Sequence, residues 1–211
     1  MINREDPPIP IRKMVLNGRG LLTVNPDLAI IRLGVQTTGD NVTTAQQENA
    51  RISSQILAAI KGLGVTDIRT YQYQIEKIYD YENGNRIDRG YSVRNVFEIR
   101  TANLGQVGTI IDSAVFNGAN IVDLISFDVA NPDAYYQQAL TLAVNNAYEK
   151  AKTISSSMNF TFDPIPILIT ENTLQPIPYA PTLALREGAY TTPIESGTKQ
   201  IEASVTVEFE Y

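Results

Sequence analysis

Residues 67–101 carry the pattern that most restricts the fold, because two long arms of alternating apolar residues meet at a turn sequence. Asn83-Gly84, between the arms, is a dipeptide that two-residue hairpin turns prefer. The pattern predicts an antiparallel hairpin with arms of about 15 residues, long enough for part of it to project beyond a typical sheet. The alternating residues are Tyr71, Tyr73, Ile75, Tyr79 and Tyr81 on the first arm and Tyr91, Val93, Phe97 and Ile99 on the second.

The five tyrosines of this hairpin allow two interpretations. Tyrosine is common in cross-strand pairs on a half-buried sheet face, which would give these residues an ordinary structural role. A projecting hairpin rich in tyrosine is also suited to contact a protein, since the ring supplies apolar area and the hydroxyl group a hydrogen bond. The candidate contact surface on the hairpin consists of Tyr71, Tyr73, Tyr79, Tyr81 and Tyr91.

Other segments also have the character of strands. Residues 12–37 contain two β-type runs separated by Asn25-Pro26-Asp27, and we expect these runs to form a second hairpin. Residues 199–211 alternate strictly between apolar and polar side chains, which is typical of an antiparallel strand with one buried face. With two shorter runs at 121–129 and 165–170, about seven strands are predicted in all.

Three segments have apolar residues at the three- and four-residue spacing of a helix with one buried face. They are 43–63, 103–118 and 131–158, and alanine recurs along the third. Small residues allow a close approach between elements, and Gly18 and Gly20 suggest either a β-bulge or such an approach at the first strand. The predicted class is α+β, a mainly antiparallel sheet with three helices packed on it.

Two asparagines interrupt otherwise apolar patterns. Asn49 falls on the apolar face of the first predicted helix, and Asn95 lies in the second arm of the hairpin. An amide in apolar surroundings lowers stability unless it is hydrogen-bonded. We therefore expect Asn49 and Asn95 to form a structural polar network, with a small-ligand site as the alternative.

Composition narrows the chemistry that the chain can perform. Its 211 residues include no Cys and no His, which removes thiolate nucleophiles, the usual general base and the commonest metal ligand. We expect no catalytic residues, no cofactor and no metal site. The acids near the hairpin turn, Asp80, Glu82 and Asp88, do not match a calcium loop and are expected to be solvated.

The distribution of charge and hydropathy bears on partners. The formal charge is −6 and the basic residues are scattered, which disfavours binding to nucleic acid. No apolar run approaches the roughly 20 residues that a membrane-spanning helix needs. The first residues lack the apolar stretch of a secretory signal.

A long connection precedes the last predicted strand. Residues 171–198 contain four prolines and no periodicity, yet they are too apolar for a solvated linker. We expect this loop to dock between subunits. We also expect residues 1–11 to be an N-terminal extension and residues 12–211 to be a single α+β unit. The apolar residues that join the candidate contact surface are Leu174, Ile177, Tyr179, Leu183, Leu185 and Tyr190.

Several short motifs, taken in order, resemble the SIMPL-domain family, which includes bacterial periplasmic and envelope-associated proteins. Each motif is weak alone, but their shared order covers roughly residues 14–211. They are Gly18-x-Gly20, Pro26-Asp27-x-Ala29, Asn49, Leu63-Gly64-Val65 with Asp67-Ile68-x-Thr70, Tyr79-x-Tyr81, Gly90-Tyr91 with Asn95, Gly118-Ala119-Asn120, Ile125-x-Phe127, the alanines of the third helix and Thr192-Pro193-Ile194-Glu195-x-Gly197.

The resemblance implies an α+β fold, no established catalytic activity and, in some relatives, a ring-like homo-oligomer linked to stress protection. We therefore expect a non-enzymatic protein that forms homo-oligomers or binds an unidentified protein partner. The alternative is a small-ligand module or an enzyme with a pocket near Asn49 and Asn95. The expected location is the cytoplasm if the chain is complete as given, and the periplasm if a leader has been removed.

Overall fold

The computed structural model describes residues 12–172 and 192–211, and within them it contains three α-helices and seven strands. All strand pairs are antiparallel, which confirms the predicted α+β class. A single 3₁₀ turn, Leu104–Gln106, precedes the second helix. The elements are β1 (Lys13–Val24), β2 (Leu28–Gly39), α1 (Val42–Gly62), β3 (Asp67–Glu82), β4 (Asn85–Thr101), α2 (Val107–Phe116), β5 (Ile121–Asp128), α3 (Pro132–Met158), β6 (Leu168–Asn172) and β7 (Lys199–Glu210).

The chain divides into two compact units, each with its own sheet. The first unit combines β1, β6 and β7 with α3, and its strand order is β1-β7-β6. The second combines β2 to β5 with α1 and α2, and its strand order is β3-β4-β2-β5. The seven strands thus form two sheets. Whether residues 12–211 fold as a single cooperative unit stays a prediction.

The prediction that residues 12–37 form a hairpin is wrong. β1 pairs along its whole length with β7, from Lys13 opposite Glu210 to Val24 opposite Lys199, whereas β2 pairs with β4 and β5. The link 25–27 has no residue with positive φ, so it lacks the backbone twist of the turns that close tight hairpins. The 12-residue β7, with its strict alternation, supplies the partner that β1 needs.

In the first unit, α3 packs very closely on β1. A Cβ atom placed on Gly18 would lie 2.0 Å from the carbonyl oxygen of Ala143, and one on Gly20 would lie 1.9 Å from that of Ala139. No larger residue fits at either position without moving the helix. The close approach predicted from the glycines and the alanines is therefore confirmed. The buried residues of this core are Met14, Ala139, Ala143, Ala147, Ala151, Ala203, Val205, Val207 and Phe209.

In the second unit, α1 and α2 cover one face of the four-stranded sheet. α1 packs on β2 and β4 and also contacts α2. Its cap is Asn41, whose Oδ1 accepts a hydrogen bond from the backbone N–H of Thr44. The buried residues of this core are Ala29, Ile31, Leu33, Val35, Ile56, Ile60, Val65, Ile99, Val107, Ile110, Ile111, Ala114 and Ala119.

The long hairpin is present as predicted, with β3 and β4 joined by Asn83-Gly84. Both turn residues have positive φ, 51° and 80°, as the twisted two-residue turn requires. β3 is an outer strand of its sheet. The last pair between β4 and β2 is Tyr91 with Gly39, so the part of the hairpin beyond this pair projects past the end of β2.

Candidate functional site

The side chain of Asn49 ties α1 to the middle of the sheet. Its Nδ2 group donates to the backbone carbonyl of Val35 on β2, at 3.1 Å, and to that of Val93 on β4, at 2.8 Å. Its Oδ1 accepts from the hydroxyl group of Ser53, one turn further along the helix. Only 1% of Asn49 is exposed, so every polar group of this buried side chain has a partner.

Asn95 joins the same network through Ser53. Its Nδ2 donates to Ser53 Oγ at 3.0 Å, and the chain of contacts runs from β4 through Ser53 to Asn49. Asn95 is half-buried, and its Oδ1 is a buried oxygen without a hydrogen-bond partner among the described residues. The two asparagines that the sequence singled out are thus brought together, with one acceptor left over.

This arrangement suits a structural role better than a catalytic one. Asn49 donates only to backbone carbonyls, and no titratable group takes part in the three-residue network. Two amides and one hydroxyl group offer hydrogen bonds, and no ionisable side chain within the network can serve as a general base. What the network contributes to stability stays a prediction.

The tyrosines of the hairpin do not all lie on one face. A β-bulge between Thr70 and Gln72 shifts the register of β3, so Tyr71 points away from the helices and its ring lies against the guanidinium group of Arg32, 3.8 Å from the ring centroid. Period-two alternation puts the remaining tyrosines on the helix-facing side. They form, with one isoleucine, the surface that we call the tyrosine stripe: Tyr73, Ile75, Tyr79, Tyr81 and Tyr91.

The tyrosine stripe is largely open to solvent. Tyr73 is 48% exposed, Ile75 40%, Tyr79 37% and Tyr81 71%, whereas Tyr91 is half-buried. Exposures of 37–48% also fit ordinary cross-strand pairing on a half-buried face, so the choice between the two interpretations stays a prediction, whereas Tyr81, at 71%, is more open. The exposed apolar area therefore continues from the covered part of the sheet onto the projecting part of the hairpin.

Ion pairs hold the tip of the hairpin. Lys77 Nζ lies 2.6 Å from Asp88 Oδ2, and Arg89 contacts both Asp80 and Glu82. The pKa of Asp88 lies below its ordinary value, mainly because of the hydrogen bond from Lys77 and to a smaller extent because of the one from the Gly90 N–H.

Those tip acids, predicted to be solvated, are exposed but each is engaged by a basic side chain. Over residues 12–172 and 192–211, no group of three or more acids has the geometry to hold a metal ion.

A further polar cluster was not anticipated from the sequence. Glu98 on β4 is 1% exposed, although it lies on the sheet face opposite the helices. It is covered by three arginines from three strands: Arg32 on β2, Arg69 on β3 and Arg100 on β4. The sequence signal was a glutamate between Phe97 and Ile99 in a buried strand, but its partners lie too far along the chain to be recognised.

An open groove in the first unit is lined by Leu16, Asn146, Glu149, Lys150, Thr153 and Ile154, and thus includes neither Asn49 nor Asn95. In the part of the chain that the structure describes, no helix is long and apolar enough to span a membrane.

Part of the predicted contact surface, and the extension 1–11, fall outside the described residues. That part comprises Leu174, Ile177, Tyr179, Leu183, Leu185 and Tyr190.

Comparison with known proteins identifies a matching family model and several similar proteins. A family model described as "SIMPL: Protein of unknown function (DUF541)" matches residues 14–209. The 26 kDa periplasmic immunogenic protein of Brucella melitensis is 28% identical over 215 residues, which covers 94% of this chain and 84% of the relative. The uncharacterized protein YggE of Escherichia coli is 25% identical over 154 residues, covering 72% of this chain and 63% of the relative.

Proposed function

The chain belongs to the SIMPL family, and from that premise we propose that it is a non-enzymatic protein that assembles with further copies of itself through the tyrosine stripe. The exposure of this surface carries the proposal. Three tyrosines and an isoleucine, each between 37% and 71% exposed, lie along one face of the hairpin, with the ion-paired Lys77 between Ile75 and Tyr79. Clustered exposed apolar side chains of this kind mark contact surfaces, because leaving them in water is unfavourable.

Charge favours a second copy as the occupant of the tyrosine stripe. The projecting segment 77–89 contains three basic residues, Lys77, Arg86 and Arg89, and three acidic ones, so its formal charge is zero. The whole chain carries −6, so two copies repel each other on average. A hairpin segment without net charge, with tyrosine rings on one face, is a part of the molecule that a like-charged copy can approach.

Two rings of the tyrosine stripe, those of Tyr79 and Tyr91, lie against basic side chains that restrict their motion. Arg86 stacks on Tyr79 with its guanidinium carbon 3.3 Å from the ring centroid, and Lys77 lies 5.4 Å and 5.6 Å from the centroids of Tyr79 and Tyr91. Side chains that are already ordered lose less conformational entropy when they are buried in an interface.

The non-enzymatic part of the proposal follows from composition, since the chain offers neither a histidine base nor a cysteine nucleophile. For location, we propose the periplasm, because the Brucella relative that aligns with 94% of this chain is named a periplasmic protein. A role in stress protection belongs to the same proposal and derives from the family resemblance alone.

Light scattering coupled to size exclusion tests the assembly. We expect the native chain to show a mass above that of the 23.3 kDa monomer, rising over an about hundredfold range of concentration. Replacing both Tyr79 and Tyr81 with serine should return the protein to the monomer, because it removes two rings from the centre of the contact.

Phe116→Ser is the matched control. Phe116 is 91% exposed at the end of α2 and lies outside the hairpin, so its loss should leave the assembly unchanged. A native chain that remains monomeric at every concentration would contradict the proposal, as would equal effects of the control and the double variant.

A further inference from the structure

Glu98 and its arginines form a row across three strands of the second sheet. Glu98 is opposite Arg32 in the register of β2 with β4, and opposite Arg69 in the register of β3 with β4. Arg100 is two residues further along β4 and therefore on the same face. Arg32 donates to Oε2 of Glu98, whereas Arg69 and Arg100 both donate to Oε1.

The carboxylate holds these guanidinium groups in fixed positions but does not balance their charge. Asp67 on β3 lies opposite Arg100 on the same face, so three arginines against two carboxylates leave a local charge of +1 in a chain whose total is −6. Among the described residues, Glu98 is the only acid that forms an ion pair with any of the three. The three guanidinium groups repel one another, and an anion that binds beside them relieves this repulsion.

Donor groups remain available on the solvent side of the row. A guanidinium group has five N–H donors in a planar fork, and the described contacts of each arginine with Glu98 use only some of them. The side chains of Arg32, Arg69 and Arg100 are 29%, 58% and 35% exposed, so their outer edges reach solvent while Glu98 does not. The ring of Tyr71 against Arg32 further fixes the orientation of that guanidinium group.

We propose that Arg32, Arg69 and Arg100, held by the buried Glu98, bind a phosphate-type dianion on the outer face of the second sheet. Arg32 and Arg69 lie on the two strands that flank β4, about 9.6 Å apart. Their guanidinium groups and that of Arg100 nevertheless contact the same carboxylate, so one tetrahedral anion above it can reach all three. The forked geometry of arginine matches the oxygens of a phosphate group, whose negative charge offsets the local positive excess. This site is independent of the tyrosine stripe and of the proposed assembly.

The first experiment uses the native chain at low ionic strength, with arginine side chains labelled with ¹⁵N. Titration with inorganic phosphate should shift the Nε–Hε resonances of Arg69 and Arg100 along a saturable curve. Acetate, a monoanion with two oxygens, should bind about tenfold more weakly or worse, because it carries less charge and offers the three guanidinium groups fewer acceptors. No saturable shift, or equal affinity for the two anions, overturns the proposal.

The second experiment compares two arginines on the same face of the sheet. Arg69→Gln should weaken phosphate binding about tenfold or more, the effect of losing a charge-assisted hydrogen bond. Arg94→Gln is the control, since Arg94 forms a bidentate pair with Asp123 and the substitution changes the chain's charge by the same amount. Equal losses in both variants would show a general charge effect and reject the site.

Arg69→Lys keeps the result interpretable if the glutamine variant fails to fold. The lysine retains the positive charge but loses the planar fork, so we expect a partial loss of phosphate affinity with unchanged affinity for acetate. Unchanged phosphate affinity in a folded Arg69→Lys protein would exclude forked recognition by this side chain.

Discussion

At the scale of single residues, Asn49 forms buried hydrogen bonds that join one helix to two strands of the second unit. It satisfies two carbonyl groups on neighbouring strands from a position on a helix. Removing it leaves those carbonyls and the Ser53 hydroxyl group buried without this partner, which is costlier than losing one exposed hydrogen bond.

We therefore expect Asn49→Ala to lower the free energy of unfolding by about 2–3 kcal/mol in urea denaturation. Gln47→Ala is the control, because Gln47 is an exposed amide on the same helix and alanine favours helix formation. If both variants unfold at the same urea concentration as the native chain, Asn49 has no structural role.

At the scale of elements, the contact between α3 and β1 depends on two residues that lack side chains. The Cβ atom of an alanine at Gly18 would overlap a backbone carbonyl oxygen, and backbone cannot move away as the end of a flexible side chain can. Overpacking of this kind costs typically about 1–3 kcal/mol.

Gly18→Ala should accordingly lower the thermal midpoint. Gly62→Ala should leave the midpoint unchanged or raise it, because no atom lies within 4 Å of the added Cβ and the residue is part of α1. Calorimetry on the two variants measures both thermal midpoints. A Gly18→Ala protein with the native midpoint would mean that α3 can shift along β1.

The Glu98 row predicts how the second sheet responds to acid. Burial of Glu98 disfavours its charged form, but hydrogen bonds from Arg32, Arg69 and Arg100 outweigh burial and hold its pKa below the ordinary value. A carboxyl group with a lowered pKa adds stability above its unfolded-state pKa, and this stability is lost as the pH falls through the folded-state pKa.

Urea midpoints should therefore decline below about pH 5 in the native chain, and Glu98→Gln should flatten part of that decline. Glu48→Gln is the comparison, since Glu48 also pairs with an arginine, Arg51, but is exposed. An exposed pair contributes little, so this variant should follow the native curve; two coincident variant curves would contradict the role of Glu98.

At the scale of the whole molecule, the net charge of −6 opposes assembly while the tyrosine stripe promotes it. Salt screens repulsion between charges that lie farther apart than about 10 Å at 0.1 M, but affects apolar contact much less. The mean mass from light scattering should thus rise between low and moderate NaCl concentration. A mass that falls with salt would indicate that ion pairs, not the tyrosine stripe, hold the copies together.

Much of the local structure was readable from the sequence for a physical reason. A helix cap, a tight turn and the period of an amphipathic element depend on residues a few positions apart. α3 extends over Pro132–Met158, close to the predicted range 131–158, and Asn83-Gly84 closes the long hairpin. The glycines of β1 allow the close contact that was one of their two predicted roles. Absence of Cys and His also limited the chemistry before any fold was known.

The tertiary structure decided what depends on residues far apart in the chain. Only pairing with β7, some 190 positions away, shows that β1 does not form a hairpin with β2. A single bulge turns Tyr71 to the face opposite the tyrosine stripe, although its sequence period matches that of Tyr73. Glu98 gains its three arginines because strand register brings distant residues into one row, and register is set by the packing of the entire sheet.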